Sequence, residues 1–188
     1  AWGKTKSNIN FSWVDLDNFG AIESITNYLI KKNHSHISYI NISEKYNFAN
    51  ERKASFLQTL KKNKIEFNKN YYASVKLEEP EKSFEIIRNM ININKKISSI
   101  ICSTEFSALS AIKACNDLNL QIGKDISIIT FDGPLVRDLS SPPLTAASFP
   151  VKELGKRAIN ILLNKKDKNL NFLAKSKIIE RGSVHTVK

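Results

Sequence analysis

Residues 97–131 read ISSIICSTEFSALSAIKACNDLNLQIGKDISIITF, and this stretch decides the fold class. Its two apolar runs, Ile97–Cys102 and Ile126–Phe131, are typical of buried strands, and Glu105–Asn119 between them has apolar residues at helical spacing. A strand, a helix and a second strand form a βαβ unit, in which the strands are parallel and the crossover is right-handed. The apolar runs show little alternation with polar residues, as expected for strands that are covered on both faces.

The same alternation of strand and helix extends outward in both directions. Further strands are predicted at 12–16, Ile37–Ile42, Tyr71–Leu77, Leu144–Phe149 and Ser176–Ile179, and further helices at Phe19–Lys32, Ala49–Asn63, Pro80–Met90 and Val151–Leu163. The polar stretch Leu163–Asn171 is predicted to be a surface loop. With 188 residues the chain is long enough to bury a substantial core, so we predict an α/β fold built on a parallel sheet.

The net charge of +11 raises the possibility of nucleic-acid binding. The basic residues are mostly lysines spread along the whole chain, and their runs fall near predicted helix ends, where lysine is favoured by the helix dipole. We therefore expect no DNA-binding surface within this chain. We also expect no membrane partner, because no segment approaches the roughly 20 apolar residues of a membrane span.

The ends and the cysteines of the chain give weaker indications. The first residues, AWGKTKSNIN, contain neither a methionine nor the apolar core of a signal peptide, so we expect the chain to begin inside a longer protein. Cys102 and Cys115 are too few for a disulfide framework and lie in apolar or helical runs. We expect them to be buried, reduced thiols, in agreement with a cytoplasmic protein.

Candidate binding residues follow the predicted strands. In an open α/β sheet, ligands bind beyond the carboxyl ends of the strands, and those ends lie at one edge. Carboxylates and arginine bind neighbouring hydroxyl groups, and aromatic faces cover the apolar side of a sugar ring, so the residue types suit a polyol. In chain order, the residues that this rule nominates are Asp15, Asp17, Tyr46, Asn47, Phe48, Arg52, Ser103, Thr104, Glu105, Asp132 and Phe149.

Each of the main candidates also has a purely structural interpretation, which the sequence leaves open. Arg52 fits a solvated residue in the first turn of a helix, and Phe48 fits a hydrophobic staple at the helix start. Glu105 fits a first-turn acid favoured by the helix dipole. Asp132 precedes a glycine and fits a turn that ends a strand.

Enzyme signatures are missing from the sequence. The six glycines form neither a GxGxxG nor a Walker pattern, and there is no GxSxG motif. His34 and His36 form an isolated H-x-H without other metal-binding residues nearby, so we expect neither a metal nor a cofactor. We predict no catalytic residues and no enzymatic activity, although a glycosidase with two carboxylates remains an alternative.

Five motifs, in the same order and spacing, resemble the ligand-binding core of the LacI/GalR family of transcription regulators. They are VDLDNFGAIESITNYLIKKNHSHISYI, RKASFLQTLKKNKI, the segment from 99 to 133 that ends in DISIITFDG, PPLTAASFPVKELGKRAINILL, and IIERGS. The resemblance runs from Trp13 to Ser183, nearly the whole chain. It departs from the family pattern where Ser55 and Thr130 replace usual glycines.

The resemblance implies a periplasmic-binding-protein-like fold of type I, with one complete lobe and a fragment of the second. Residues 1–36 and 148–165 are expected to form the fragment of the N-terminal lobe. Residues 37–147 and 174–184 are expected to form the C-terminal lobe. The DNA-binding headpiece of such regulators is expected to be absent from this chain.

Roles for several candidates also follow from the resemblance. It implies that Arg52 binds sugar hydroxyls, that Asp132 anchors the ligand, and that Asp15 or Asp17 supplies a carboxylate from the first lobe. Thr104 and Glu105 stand where many members have Asn and Asp, which leaves that contact open. Phe149 replaces a frequent glutamine and favours ring stacking.

The run Tyr46–Ala49 is similar to regulators of α-glucoside use, so the expected effector is a glucoside or disaccharide. The implied function is cytoplasmic sugar sensing by a homodimer, in which lobe closure controls operator binding through the missing headpiece. The alternative with the same fold is a periplasmic sugar-binding protein of an ABC transporter.

Overall fold

The computed structural model describes residues 1, 3–4, 11–76, 79–163 and 170–188. Strands and helices alternate along these residues, as the sequence predicts. In chain order the elements are β1 (Trp13–Leu16), α1 (Asn18–Lys31), β2 (Ile37–Ile42), α2 (Asn47–Lys62), β3 (Tyr72–Val75), α3 (Pro80–Ile93), β4 (Ser99–Cys102), α4 (Glu105–Asp117), β5 (Ser127–Phe131), α5 (Pro134–Asp138), β6 (Thr145–Ser148), α6 (Val151–Leu163), β7 (Asn171–Ala174) and β8 (Lys177–Ile179).

The larger sheet has six strands in the order β3-β2-β4-β5-β6-β8. Its first five strands are parallel, and β8 pairs antiparallel with β6 at one edge. Two strands inside the sheet, β2 and β4, are buried at every position, because helices cover both faces. The predicted α/β fold with a mostly parallel sheet is therefore confirmed.

Two separate cores lie on the two faces of this sheet. Successive strand residues point to opposite faces, so Ile100 and Ile101, both fully buried, belong to different cores. The core around Ile100 is closed by α3 and α4, and the core around Ile101 by α1 and α2. Burial of the aliphatic side chains in each core stabilises the fold by roughly 25 cal/mol per Å² of apolar surface removed from water.

A smaller unit is formed by β1 and β7, which pair in parallel, with α6 packed on them around Val14, Leu154 and Ala174. The chain passes between this unit and the six-stranded sheet three times, at 16–18, at 148–151 and at 174–177. The helix α1 packs on the larger sheet, because its apolar face lies in the core of Ile101. The expected lobe boundary at residue 36 therefore separates α1 from the sheet that it covers.

Two elements were not predicted from the sequence. The strand β7 lies at the end of a stretch predicted to be a surface loop, and it forms because its backbone pairs with β1. The short helix α5 lies in a segment for which the sequence predicted no regular element. The rest of the predicted surface loop, 164–169, and the end of the predicted third strand at Leu77 lie outside the described residues.

Several departures and minor predictions are explained by local contacts. Ser55 is buried and donates a hydrogen bond to the carbonyl of Phe19 in α1, and Thr130 donates to the carbonyl of Cys102. Each hydroxyl gives a backbone carbonyl a hydrogen-bond donor that a glycine at the same position would not supply. Cys102 and Cys115 are free and buried, as predicted.

No helix in the described part of the chain has the length and apolar character needed to cross a bilayer.

Candidate functional site

Arg52 is buried in α2, with only 7% of its surface exposed. Its Nε donates a hydrogen bond to Oδ1 of Asn18 at 2.9 Å, and its Nη1 donates to the carbonyl oxygen of Ser103 at 3.2 Å. Its guanidinium carbon lies 3.8 Å from the centroid of the Phe131 ring, a cation–π contact. The interpretation of Arg52 as a solvated first-turn residue is therefore wrong.

Burial lowers the pKa of Arg52 to about 10, while the negative charge of Asp15 acts in the opposite direction. The side chain is still a cation at neutral pH. A buried cation is costly unless it is hydrogen-bonded or paired, and two of its nitrogens have protein partners. Among the described residues, no hydrogen-bond partner reaches Nη2, so this nitrogen retains two N–H donors for a ligand.

A buried polar network fixes the surroundings of Arg52. The hydroxyl of Tyr39 lies 2.8 Å from Oγ of Ser103 and donates to Oδ1 of Asn41 at 3.0 Å. The amide of Asn41 donates in turn to the carbonyl of Ala49 at 2.9 Å, which ties β2 to the first turn of α2. Burial raises the pKa of Tyr39, so this phenol stays protonated. The network therefore holds both α2 and the carbonyl that accepts from Arg52.

Two cavities adjoin at Arg52, which lines both of them together with Leu16. The first has a volume of about 320 Å³, and its lining includes Asp15, Asn47 and Phe48. Asp15 accepts hydrogen bonds from the backbone N–H groups of Lys4 and Leu16. This cavity joins the end of β1 to the start of α2, so it lies between the two units of the fold.

The second cavity has a volume of about 440 Å³, and its lining includes Phe131, Asp132 and Phe149. The rings of Phe131 and Phe149 are stacked, with centroids 6.0 Å apart and planes 4° apart. Asp132 accepts a hydrogen bond at Oδ1 from Nη2 of Arg181 at 2.9 Å. The lining of this cavity thus combines the carboxylate of Asp132 and two arginines, Arg52 and Arg137, with two aromatic rings.

Of the eleven residues that the rule for strand ends nominates, six line the two cavities. They are Asp15, Asn47, Phe48, Arg52, Asp132 and Phe149. Asp132 ends a strand, as its structural interpretation proposes, and it also lines a cavity. Phe48 lies inside α2 and stacks on Tyr46 with 5.6 Å between ring centroids, so it is not a staple that precedes the helix.

Five nominated residues line neither cavity, and three of them, Asp17, Thr104 and Glu105, cap helices. Asp17 accepts from the backbone N–H of Gly20 at 2.8 Å and caps α1. Thr104 caps α4 by accepting from the N–H of Ser107, and Glu105 accepts from the N–H of Leu135 at the start of α5. These helix N–H groups have no partner within the helix, so the oxygens satisfy them. In this structure these three side chains have capping roles, and their ligand contacts stay predictions.

Sequence reasoning did not select Asn18, Phe131 and Arg181, which contact Arg52 or Asp132, or Arg137, which lines the second cavity. Phe131 directly precedes Asp132 at the end of β5, so the rule for strand ends is a signal that could have selected it. Arg181 lies in the IIERGS motif, but no pattern in the sequence paired it with Asp132, 49 residues away. Asn18 begins α1, and nothing in its local sequence indicates the contact with Arg52.

His34 and His36 have separate environments. His34 is buried; its Nδ1 lies 2.8 Å from Oγ of Ser98 and its Nε2 3.1 Å from Oγ of Ser127. His36 packs edge-to-face against Tyr71, with ring centroids 6.0 Å apart. Both lie near the amino ends of the strands, at the edge of the sheet opposite to Arg52.

A cleft at the carboxyl edge of a parallel sheet, next to a smaller unit joined by three chain crossings, is typical of ligand-binding modules. Residues 26–184 match the family of periplasmic binding protein-like domains, and the chain belongs to this family.

Comparisons with known proteins place the chain near transcription regulators. It is 27% identical over 187 residues to the HTH-type transcriptional repressor PurR of Klebsiella pneumoniae, covering 97% of this chain and 54% of that protein. It is 27% identical over 177 residues to the HTH-type transcriptional regulator RegA of Clostridium saccharobutylicum, covering 90% and 52% respectively. The chain spans about half the length of the curated relatives that it matches.

Solved structures share the fold of this chain. A sugar-binding transcriptional regulator of the LacI family from Escherichia coli, complexed with phosphate, superimposes with a TM-score of 0.82 at 23% identity. The match covers 93% of this chain and 64% of that one. The named relatives are regulators, so the similarity favours the effector-binding core of a regulator over the transporter component with the same fold.

Proposed function

We propose that this chain is the sugar-sensing part of a LacI-type transcription regulator and that it binds its effector in the two cavities around Arg52. The observation that carries the proposal is the position of Arg52 and Asp132 on the lining of one cavity, although 80 positions separate them in the sequence. Both residues have a polar atom without a protein partner in the described part of the chain, namely Nη2 of Arg52 and Oδ2 of Asp132.

The chemistry of these two atoms suits a polyol. A guanidinium donates to hydroxyl oxygens and a carboxylate accepts from hydroxyl hydrogens, and charge-assisted hydrogen bonds are stronger than neutral ones. Phe48, Phe131 and Phe149 supply apolar faces for the C–H side of a ring. This combination of a few polar groups with aromatic walls is typical of small-molecule sites.

We propose a glucoside or disaccharide as the effector. The run Tyr46–Ala49 is similar to regulators of α-glucoside use, and the structure puts Asn47 and Phe48 of this run on the lining of the first cavity. The two adjoining cavities, of about 320 Å³ and 440 Å³, lie within the size range of sites for small molecules.

The proposed mechanism is a change in the angle between two lobes. The six-stranded sheet with the helices that cover it, α1 included, is the proposed complete lobe, and β1, α6 and β7 belong to the other. A ligand that binds both lobes favours the arrangement for which its affinity is higher. In the whole regulator a headpiece outside this chain reads that arrangement on operator DNA, so sugar and DNA affinities are coupled reciprocally.

We further propose a cytoplasmic homodimer that binds and does not turn over its sugar. Two-fold symmetric operators require paired headpieces, which supports the dimer. The named relatives are regulators, which supports binding without catalysis.

The proposal is tested by NMR titration of the ¹⁵N-labelled chain with glucose, maltose and cellobiose. We expect at least one disaccharide to shift amide signals at the carboxyl edge of the sheet. The variant Arg52→Ala should weaken that binding at least tenfold, while Arg88→Ala, a change at an exposed arginine of α3, should leave it unchanged. Unchanged affinity in Arg52→Ala would remove this residue from the site.

A further inference from the structure

We infer that Arg181 is a positioning residue for ligand binding, which orients Asp132 and links it to a crossing between the two units of the fold. The inference rests on the proposed function, because it concerns how the carboxylate of that site is presented to a sugar. The relevant observation is an ion pair in which Nη2 of Arg181 lies 2.9 Å from Oδ1 of Asp132, and each side chain is only 14% exposed.

The carboxylate of Asp132 is fixed from two sides. Its backbone N–H donates to the carbonyl of Ala147 in β6 at 2.9 Å, which sets the position of the residue. Arg181 binds Oδ1, which sets the rotation of the carboxylate. Oδ2 has no partner among the described residues, and Asp132 lines the second cavity. Arg181 therefore holds one oxygen and leaves the other for a ligand hydroxyl.

Arg181 is itself held rigidly. Its Nη1 donates to the carbonyl oxygen of Leu144 at 2.5 Å, and its backbone N–H donates to Oγ1 of Thr145 at 3.0 Å. Two residues further on, Ser183 donates to the carbonyl of Ile128 at 2.6 Å. A guanidinium with two fixed contacts in different directions has little freedom to rotate, because its N–H groups form a rigid fork.

The position of Arg181 in the chain gives the contact a second consequence. It lies two residues after β8, and β8 directly follows the crossing at 174–177 from β7 of the smaller unit. A ligand that binds Asp132 is therefore one ion pair away from a segment that any change in the angle between the units must move. This contact is a physical route from the effector to the lobe angle.

The test is a double-mutant cycle on sugar affinity with Asp132→Asn and Arg181→Gln. The probe is whichever of maltose, cellobiose or glucose binds the wild-type chain best in the NMR titration. We expect Arg181→Gln to weaken binding about tenfold and Arg181→Lys, which keeps the charge, to weaken it less. In the Asp132→Asn background, Arg181→Gln should cause no further loss beyond about twofold, because residues that act through one contact are not additive.

The matched control is Arg157→Gln, which breaks an exposed arginine–carboxylate pair on α6 and should leave affinity unchanged. A general loss of structure is distinguished by urea unfolding of each variant and by its ¹⁵N spectrum. Losses that multiply in the double variant, or wild-type affinity in Arg181→Gln, would overturn the inference and leave the proposed function intact. Failure of the wild type to bind any of the three sugars would overturn both.

Discussion

The guanidinium of Arg52 lies on the face of the Phe131 ring, with 3.8 Å between Cζ and the ring centroid. Phe131 is stacked in turn with Phe149, the residue that follows β6 where the chain leaves the six-stranded sheet. This series of contacts joins a charged group of the proposed site to one of the crossings between the two units. Asp132, which follows Phe131 in the sequence, contacts Arg181 near the crossing at 174–177.

The stack gives a prediction for Phe131. Replacement by leucine keeps an apolar side chain at the end of β5 and removes both ring contacts. We expect Phe131→Leu to lower the free energy of unfolding by about 1–2 kcal/mol, from the lost cation–π and ring-stacking contacts. We also expect it to weaken sugar binding, because Arg52 loses its support. Urea unfolding and NMR titration measure the two effects.

The control for this variant is Phe106→Leu. Phe106 is 58% exposed on α4 and lies outside both cavities, so its replacement should change stability by less than about 0.5 kcal/mol. Equal effects of the two variants on sugar affinity would contradict the role given to the stack.

Arg52 gives a prediction that separates charge from geometry. Arg52→Lys keeps the positive charge but loses the planar guanidinium. A single ammonium group cannot donate to Asn18, Ser103 and a ligand at the same time. We expect a loss of about 1–3 kcal/mol in the free energy of unfolding, since buried partners lose their hydrogen bonds. We expect sugar affinity to fall at least tenfold. Wild-type affinity with reduced stability would show that Arg52 is a structural residue only.

Replacement of two glycines by alanine tests how closely the C-terminal segment packs at Gly182. Gly123 has a φ of +82°, and a Cβ there would lie 2.2 Å from the carbonyl oxygen of Gly182. Gly123→Ala should therefore lower the free energy of unfolding by more than about 1 kcal/mol, through backbone strain and a clash with backbone. Gly155 lies in α6 with open space around it, so Gly155→Ala should stabilise the helix by about 0.5–1 kcal/mol. Equal changes in chemical denaturation would be evidence against the close contact at Gly182.

His34 predicts a pH dependence of stability. Burial lowers the pKa of His34 to about 4, whereas a histidine in the unfolded chain titrates near 6.5. Between these values the unfolded state binds more protons than the folded state, so stability falls as the pH is lowered from about 6.5 to about 4. The loss approaches about 3 kcal/mol at the lower end.

The measurement is the free energy of unfolding in urea at several pH values. His34→Gln removes the titrating group, so its stability should fall less steeply over this pH range. His36→Gln, a change in the same H-x-H motif, tests whether the slope belongs to residue 34. An unchanged slope in His34→Gln would assign the acid sensitivity to other groups.

The regular elements of the fold were predictable because burial leaves a periodic pattern in the sequence. Ile37–Ile42 and Val151–Leu163 have the predicted bounds, and most other elements differ from prediction by one to three residues. β7 was missed because its four residues gain their structure from pairing with β1, more than 150 positions away. Local patterns contain no information about such a partner.

The site was predictable at the level of position and less so at the level of role. The rule for strand ends found Arg52 and Asp132, because all parallel strands end at the same edge. It also selected Asp17, Thr104 and Glu105, since helices that follow strands begin at this edge and need capping groups. Only coordinates distinguish an oxygen that caps a helix from one that faces a cavity.

The most direct test of the account is to map sugar binding by amide chemical shifts in the ¹⁵N-labelled chain and in its Asp132→Asn variant. The account predicts that the shifts cluster around Arg52, Phe131, Asp132 and Phe149 and that the variant binds at least tenfold more weakly. Shifts that cluster at the opposite edge of the sheet, around His36 and Tyr71, or equal binding by the variant, would contradict it.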